Sequence, residues 1–182
     1  MKKPIRLTPT IKKLRREIDE LYKFILSHLE SGKFKKDALE KEKQKLIEIQ
    51  IISDCTLIEE SMNIIIMKNI LKDSKSWQNI RYFGRIKRFM ILYDEILGHI
   101  SPFQKINIVK KFSPIPKRIE STTHKIFGLR NVFAHHHTID YTKEKRILYD
   151  GVSIFDINSF KKYWGDSVDV KRYFIRRSGV LK

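Results

Sequence analysis

Between residues 37 and 71 apolar side chains recur at helical spacing over more turns than anywhere else in the chain. They run through Leu46, Ile49, Ile52 and Leu57 into a wide apolar band from Met62 to Leu71. A helix with so broad an apolar front needs neighbours to cover it, which points to a helical bundle built around this segment. The run reads as one long helix, or as two broken near Ser53-Asp54.

The neighbours are visible on both sides. Residues 10–31 place Ile11, Leu14, Ile18, Leu21, Ile25 and Leu29 at three- and four-residue steps, with Gly32 as the stop. Residues 80–99 read as a third helix, with Phe83, Ile86, Met90, Tyr93 and Leu97 on one side and Arg81, Arg85 and Arg88 on the other. Ser101-Pro102 closes it, a short helical stretch reaches Phe112, and Pro114-Ile115-Pro116 forces an extended connection. A further helix over residues 117–136 repeats Ile119, Ile126 and Phe133 every seven residues, with Thr122 or Thr123 and Leu129 between them.

The texture then changes. Residues 138–141 and 146–149 are alternating β-rich tetrads around the polar turn 142–145, which predicts a β-hairpin. A short helix begun by Asp156 and closed by Gly165 follows, and the basic end from Lys171 to Arg177 reads as a packed amphipathic tail, with stacking of its interleaved Arg and aromatic side chains on bases as the alternative. The expected class is mainly α, an antiparallel helical bundle over residues 1–137. A small C-terminal β-hairpin and a basic extension, residues 138–182, pack on the same domain.

Composition narrows the function. A chain of 182 residues with 41% hydrophobic content supports a single core, and 11% aromatic residues argue against disorder. The single cysteine, Cys55, has no internal disulfide partner and reads as inert core. No signal peptide and no apolar stretch of membrane-spanning length is visible, so the expected location is cytoplasmic, away from membranes. The net charge of +17 favours polyanionic partners, of which RNA is the foremost.

Chemistry concentrates at the end of the helix over residues 117–136, in Arg130-Asn131-Val-Phe-Ala134-His135. Twelve Arg and six His would place an Arg five positions before a His about 0.4 times by chance, so the spacing alone says little. Asn directly after the Arg lowers that expectation to about 0.01–0.02. On a helix Asn131 and His135 lie one turn apart on one face with Arg130 beside them. Arg130 and His135 stand about 140° apart, a span that a dimer seam would close.

Those residue types suit metal-independent RNA cleavage. It requires a base for the 2′-OH proton, an acid for the 5′-oxygen and positive charge on the phosphorane. His135 titrates near neutrality and can serve as base or acid, and Arg130 can hold phosphate oxygens bidentately. Asn131 can orient the ring or bond a phosphate oxygen. Arg, Asn and His at a helix C-terminus also satisfy free carbonyls and suit its dipole, so a structural role is the alternative for each.

The triplet resembles the active-site motif of the HEPN superfamily, small helical domains marked by Arg, a polar residue that is often Asn, three variable residues, then His. The resemblance implies an HEPN-like bundle and a metal-independent endoribonuclease leaving 2′,3′-cyclic phosphate ends. It also implies a homodimer that joins two motifs in one cleft, and a toxin or antiphage effector with an antitoxin partner protein, for which a nucleotidyltransferase-like neighbour is one form. Other members are catalytically silent modules binding RNA, nucleotide or a protein.

The expected catalytic residues are Arg130, Asn131 and His135, supported by His136 and by Glu60, whose carboxylate could pair with Arg130 across the bundle, as could Asp54 or Glu59. Arg81, Arg85, Arg88, Lys117 and Arg118 are the expected RNA contacts, and the Arg81/Arg85/Arg88 stripe could alternatively enter a DNA groove. The run His135-His136-His137 lacks accompanying acidic or Cys ligands, so no metal and no cofactor are expected.

Overall fold

The computed structural model describes residues 7–32, 37–72, 97–135 and 147–179. Among these, α1 spans Leu7–Glu30, α2 Asp37–Lys72, α3 Pro102–Phe112, α4 Lys117–His135 and α5 Ile157–Ser178. Two short strands, β1 (Leu148–Tyr149) and β2 (Val152–Ser153), precede α5. The molecule is mainly α with a small antiparallel sheet. The third helix expected over residues 80–99 falls outside the described residues except at its end, where Leu97 is buried and Gly98 and His99 form a turn.

The long apolar run is one helix, with no break at Ser53-Asp54. All seven residues from Ser61 to Met67 are buried, so α2 is covered on every side there and forms the spine of the bundle. Its first half is more one-sided. Ile47, Ile51, Ile58 and Met62 are buried, whereas Ile49 and Ile52, expected on the inner line, are exposed, because at about 100° per residue they fall on the side away from Ile47, Ile51 and Ile58. All four other described helices pack on α2.

Specific contacts set the helix directions. Lys161 at the start of α5 pairs with Glu30 at the end of α1, and Trp164 stacks on Tyr22, so α1 and α5 run antiparallel. Arg118 pairs with Asp169, and Phe133 meets Phe155 just ahead of α5, so α4 is antiparallel to α5 as well. Tyr163 and Lys171 both reach Asp54, while the carbonyl of Ser178 accepts from Lys68, which makes α2 and α5 parallel. One core runs through all of them, with Ile25, Ile51, Ile58, Ile126, Phe127, Phe133, Phe160 and Phe174 fully buried.

Local chemistry explains the helix ends. Ser101 caps α3 in a reciprocal box. Its hydroxyl accepts from the Gln104 amide at 3.3 Å, and the Gln104 side chain accepts from the Ser101 amide at 2.9 Å, so Ser101-Pro102 opens a helix here. Asp156 caps α5 by accepting from the amides of Asn158 and Ser159, and Gly179 ends it in the left-handed conformation.

One expectation is corrected. Gly165 does not close a short helix; α5 runs through it to Ser178. One glycine in a helix costs only about 1 kcal/mol, and continuing the helix buries Val170, Phe174 and Ile175. The described hairpin turns at Asp150-Gly151, pairing Leu148 with Ser153 and Tyr149 with Val152. Both turn residues have positive φ, 50° and 84°, as a two-residue type I′ turn demands. The tetrad at 138–141 and the turn 142–145 lie outside the described residues.

Candidate active site on helix α4

Helix α4 is oriented by its buried line Ile119, Thr123, Ile126, Phe127, Leu129 and Phe133. Cys55 fixes its depth against α2, with the thiol donating to the Ile126 carbonyl at 3.7 Å. Arg130, seven residues after Thr123, continues that line and is half-buried near the end of the helix, with Asn131 half-buried beside it and Ala134 exposed. The backbone stays helical through His135, so the one-turn relation of Asn131 and His135 holds.

Arg130 forms no side-chain hydrogen bond and no ion pair among the described residues. Its charge is felt at Cys55 on α2. Burial pushes the Cys55 thiol well up, neighbouring Asp54 adds to the rise, and Arg130 acts against it. The thiol is therefore neutral and inert, as its burial among apolar groups requires.

The carboxylates that could have paired with Arg130 are mostly engaged elsewhere. Both oxygens of Asp54 are taken: Lys171 donates to Oδ1 at 2.5 Å and Tyr163 to Oδ2 at 2.9 Å. Burial raises the Tyr163 phenol well above its ordinary range, and the charge of Asp54 adds to that, so Tyr163 stays a donor. Glu59 binds the buried Lys105 of α3 at 2.5 Å. Glu60 is half-buried on α2, one residue beyond Glu59.

Lys117 and Arg118 are exposed at the start of α4, four turns from the motif, and Arg118 is held by Asp169 at 2.7 Å. Arg81, Arg85, Arg88 and His136 lie outside the described residues, as does the His135 side chain. The structure thus leaves Arg130 and Asn131 both half-buried near the end of α4 and separates Lys117 and Arg118 from them.

Sequence reasoning missed the buried Asp54, Lys171 and Tyr163 network. Lys171 opens the basic run that ends at Arg177, and a lysine between Val170 and Arg172 carries no local sign of a partner 117 positions away. Among the described residues no cluster of three or more His, Cys, Asp or Glu could hold a metal, and no helix is long and apolar enough to cross a membrane. Comparison with protein-family models, curated proteins and solved structures finds no match to this chain.

Proposed function

We propose that this chain is a metal-independent endoribonuclease of the HEPN type, with Arg130, Asn131 and His135 as its catalytic residues. One observation carries the reading. Arg130 is half-buried on α4 with no hydrogen-bonding or ionic partner among the described residues, which leaves its guanidinium fork open to a phosphate. An arginine serving only to tie off a helix end would spend those donors on protein carbonyls.

In the proposed reaction the 2′-oxygen of RNA attacks the adjacent phosphorus after losing its proton to a His135 ring. The 5′-oxygen leaves with a proton, giving a 2′,3′-cyclic phosphate and a 5′-hydroxyl. Arg130 offsets the charge that builds on the phosphorane oxygens. Asn131, one turn from His135, steadies the ring or a phosphate oxygen. The roughly 140° between Arg130 and His135 on one helix supports a homodimer in which each motif faces the other. The net charge of +17 supports RNA as the substrate. Action as a toxin or antiphage effector, restrained by a partner protein, belongs to the same proposal.

The test is cleavage of end-labelled total RNA and tRNA in EDTA by wild type, Arg130→Ala and His135→Ala, with analysis of the product ends. Cyclic phosphate termini, lost in both variants, are the expected result. RNA left intact by a folded wild-type dimer that still binds it with a steep salt dependence would instead make the chain a silent binding module.

A further inference from the structure

Helices α1 and α5 leave a cleft of about 270 Å³ between them. Its walls carry Arg15, Asp19 and Lys23 from α1 and Lys171 and Arg172 from α5, over a floor of Tyr22 and Trp164. Four cations therefore face one carboxylate. Arg15, Asp19, Tyr22 and Lys23 share one face of α1 because they are spaced by three and four residues.

Three of the four cations make no hydrogen bond to a carboxylate among the described residues. Arg15 approaches Asp19 only to 3.9 Å, and Arg172 approaches Asp169 only to 3.9 Å. Neither guanidinium makes a hydrogen bond among the described residues, and Lys23 has no partner among them. Lys171 differs, being buried and anchored on Asp54 at 2.5 Å. Its ammonium stands 3.9 Å from the Trp164 ring centroid.

The floor is rigid. Tyr22 and Trp164 stack at 3.9 Å with planes 5° apart, and Lys161 and Glu30 close the end of the same seam. With Tyr22 and Lys171 already against Trp164, the aromatic pair is used within the protein and offers no platform for a base. What remains open is a set of N–H donors around a space suited to a small anion.

We propose that this cleft binds a phosphoryl group, supplied by an RNA phosphodiester or by a free nucleotide. Arg15 and Arg172 grip it from opposite walls with their planar forks, Lys23 adds a point charge, and Asp19 sets an upper limit on affinity by repelling the same oxygens. The cleft belongs to α1 and α5 and the Arg130 motif to α4, so the site stands whether or not the chain cleaves RNA.

Trp164 supplies the probe. In the full chain carrying Trp77→Phe, its emission is followed while inorganic phosphate, ATP or a 2′-O-methyl RNA oligomer, which cannot cleave itself, is added. A saturable change is expected. Saturation by phosphate and ATP identifies a nucleotide site, and saturation by the oligomer alone identifies a backbone site.

Lys23→Ala with Arg172→Ala should weaken binding at least tenfold, and for the oligomer should lower the salt slope by about 2, one for each lost contact. Asp19→Asn should tighten binding. The exposed pair Lys41→Ala with Lys45→Ala, on α2, serves as a charge-matched control and should leave the affinity within twofold. No saturable change with any of the three additions overturns the proposal, as does an equal loss in the control pair.

Discussion

Lys171 and Arg130 are both cations set against the middle of α2, at the adjacent positions Asp54 and Cys55, and the fold treats them in opposite ways. Lys171 is buried and neutralised by a carboxylate at 2.5 Å that Tyr163 also holds. Arg130 is half-buried, acts on a thiol that stays neutral, and has no counter-ion among the described residues. A charge taken wholly out of water must be paired, whereas one only half-buried can keep its donors for something else. The first belongs to the architecture and the second is open to a ligand.

The strongest way to break that comparison is Asp54→Ala. It strands the Lys171 ammonium and the Tyr163 hydroxyl in the core, and should cost about 3–5 kcal/mol in a denaturant titration. Replacing the pair together, Asp54→Leu with Lys171→Met, should recover most of the loss. If Asp54→Ala unfolds no more easily than wild type, Lys171 is not the structural cation argued for here. Glu59→Ala should cost less, about 2 kcal/mol, because its carboxylate keeps some solvent contact although Lys105 is buried.

Arg130→Ala should leave the unfolding free energy within about 0.5 kcal/mol of wild type, while lowering RNA cleavage by about 10²–10³-fold. A large stability loss in that variant would place Arg130 with Lys171 after all.

Cys55 sharpens the contrast from the other side. Its raised thiol should resist iodoacetamide in the native protein at pH 8 and react fully once the chain is unfolded. Faster native labelling would show that α4 leaves α2 locally.

The smallest effect is expected at the hairpin. Hydrogen bonds from Lys125 and Lys162 hold the Asp150 carboxyl below its usual range. With the folded value depressed, the contribution is present above the unfolded value, about 4, and fades as pH falls through the folded value. Asp150→Asn keeps a residue tolerant of positive φ. Its melting temperature should sit slightly below wild type at pH 7, and the gap should shrink as pH falls below about 4.

Helix positions were legible in the chain wherever one apolar stripe faced one core, as in α1, α2 and α4. Ile11, Ile18, Ile25, Ile126 and Phe133 are inside as their spacing demands. Periodicity reports which side is apolar and not what lies opposite, so it could not match Lys171 to Asp54. Gly165 misled because a local propensity of about 1 kcal/mol gives way to burial of the turns beyond it. The Asp150-Gly151 turn carried its own signal in the dipeptide, overlooked beside the longer polar turn at 142–145. At the candidate site the spacing of Arg130 and Asn131 was legible, while the engagement of Asp54 and Glu59 by lysines from other helices needed three dimensions.

The unbroken spine has a consequence for how the molecule opens. Every other described helix leans on α2, and the contacts that seal it come from both before and far after it in the chain. No single helix can detach without wetting part of the stretch from Ile47 to Met67. Amide protons in that stretch should therefore exchange only through global unfolding, at one common rate. Those of α3 and of the hairpin should exchange through smaller, independent openings.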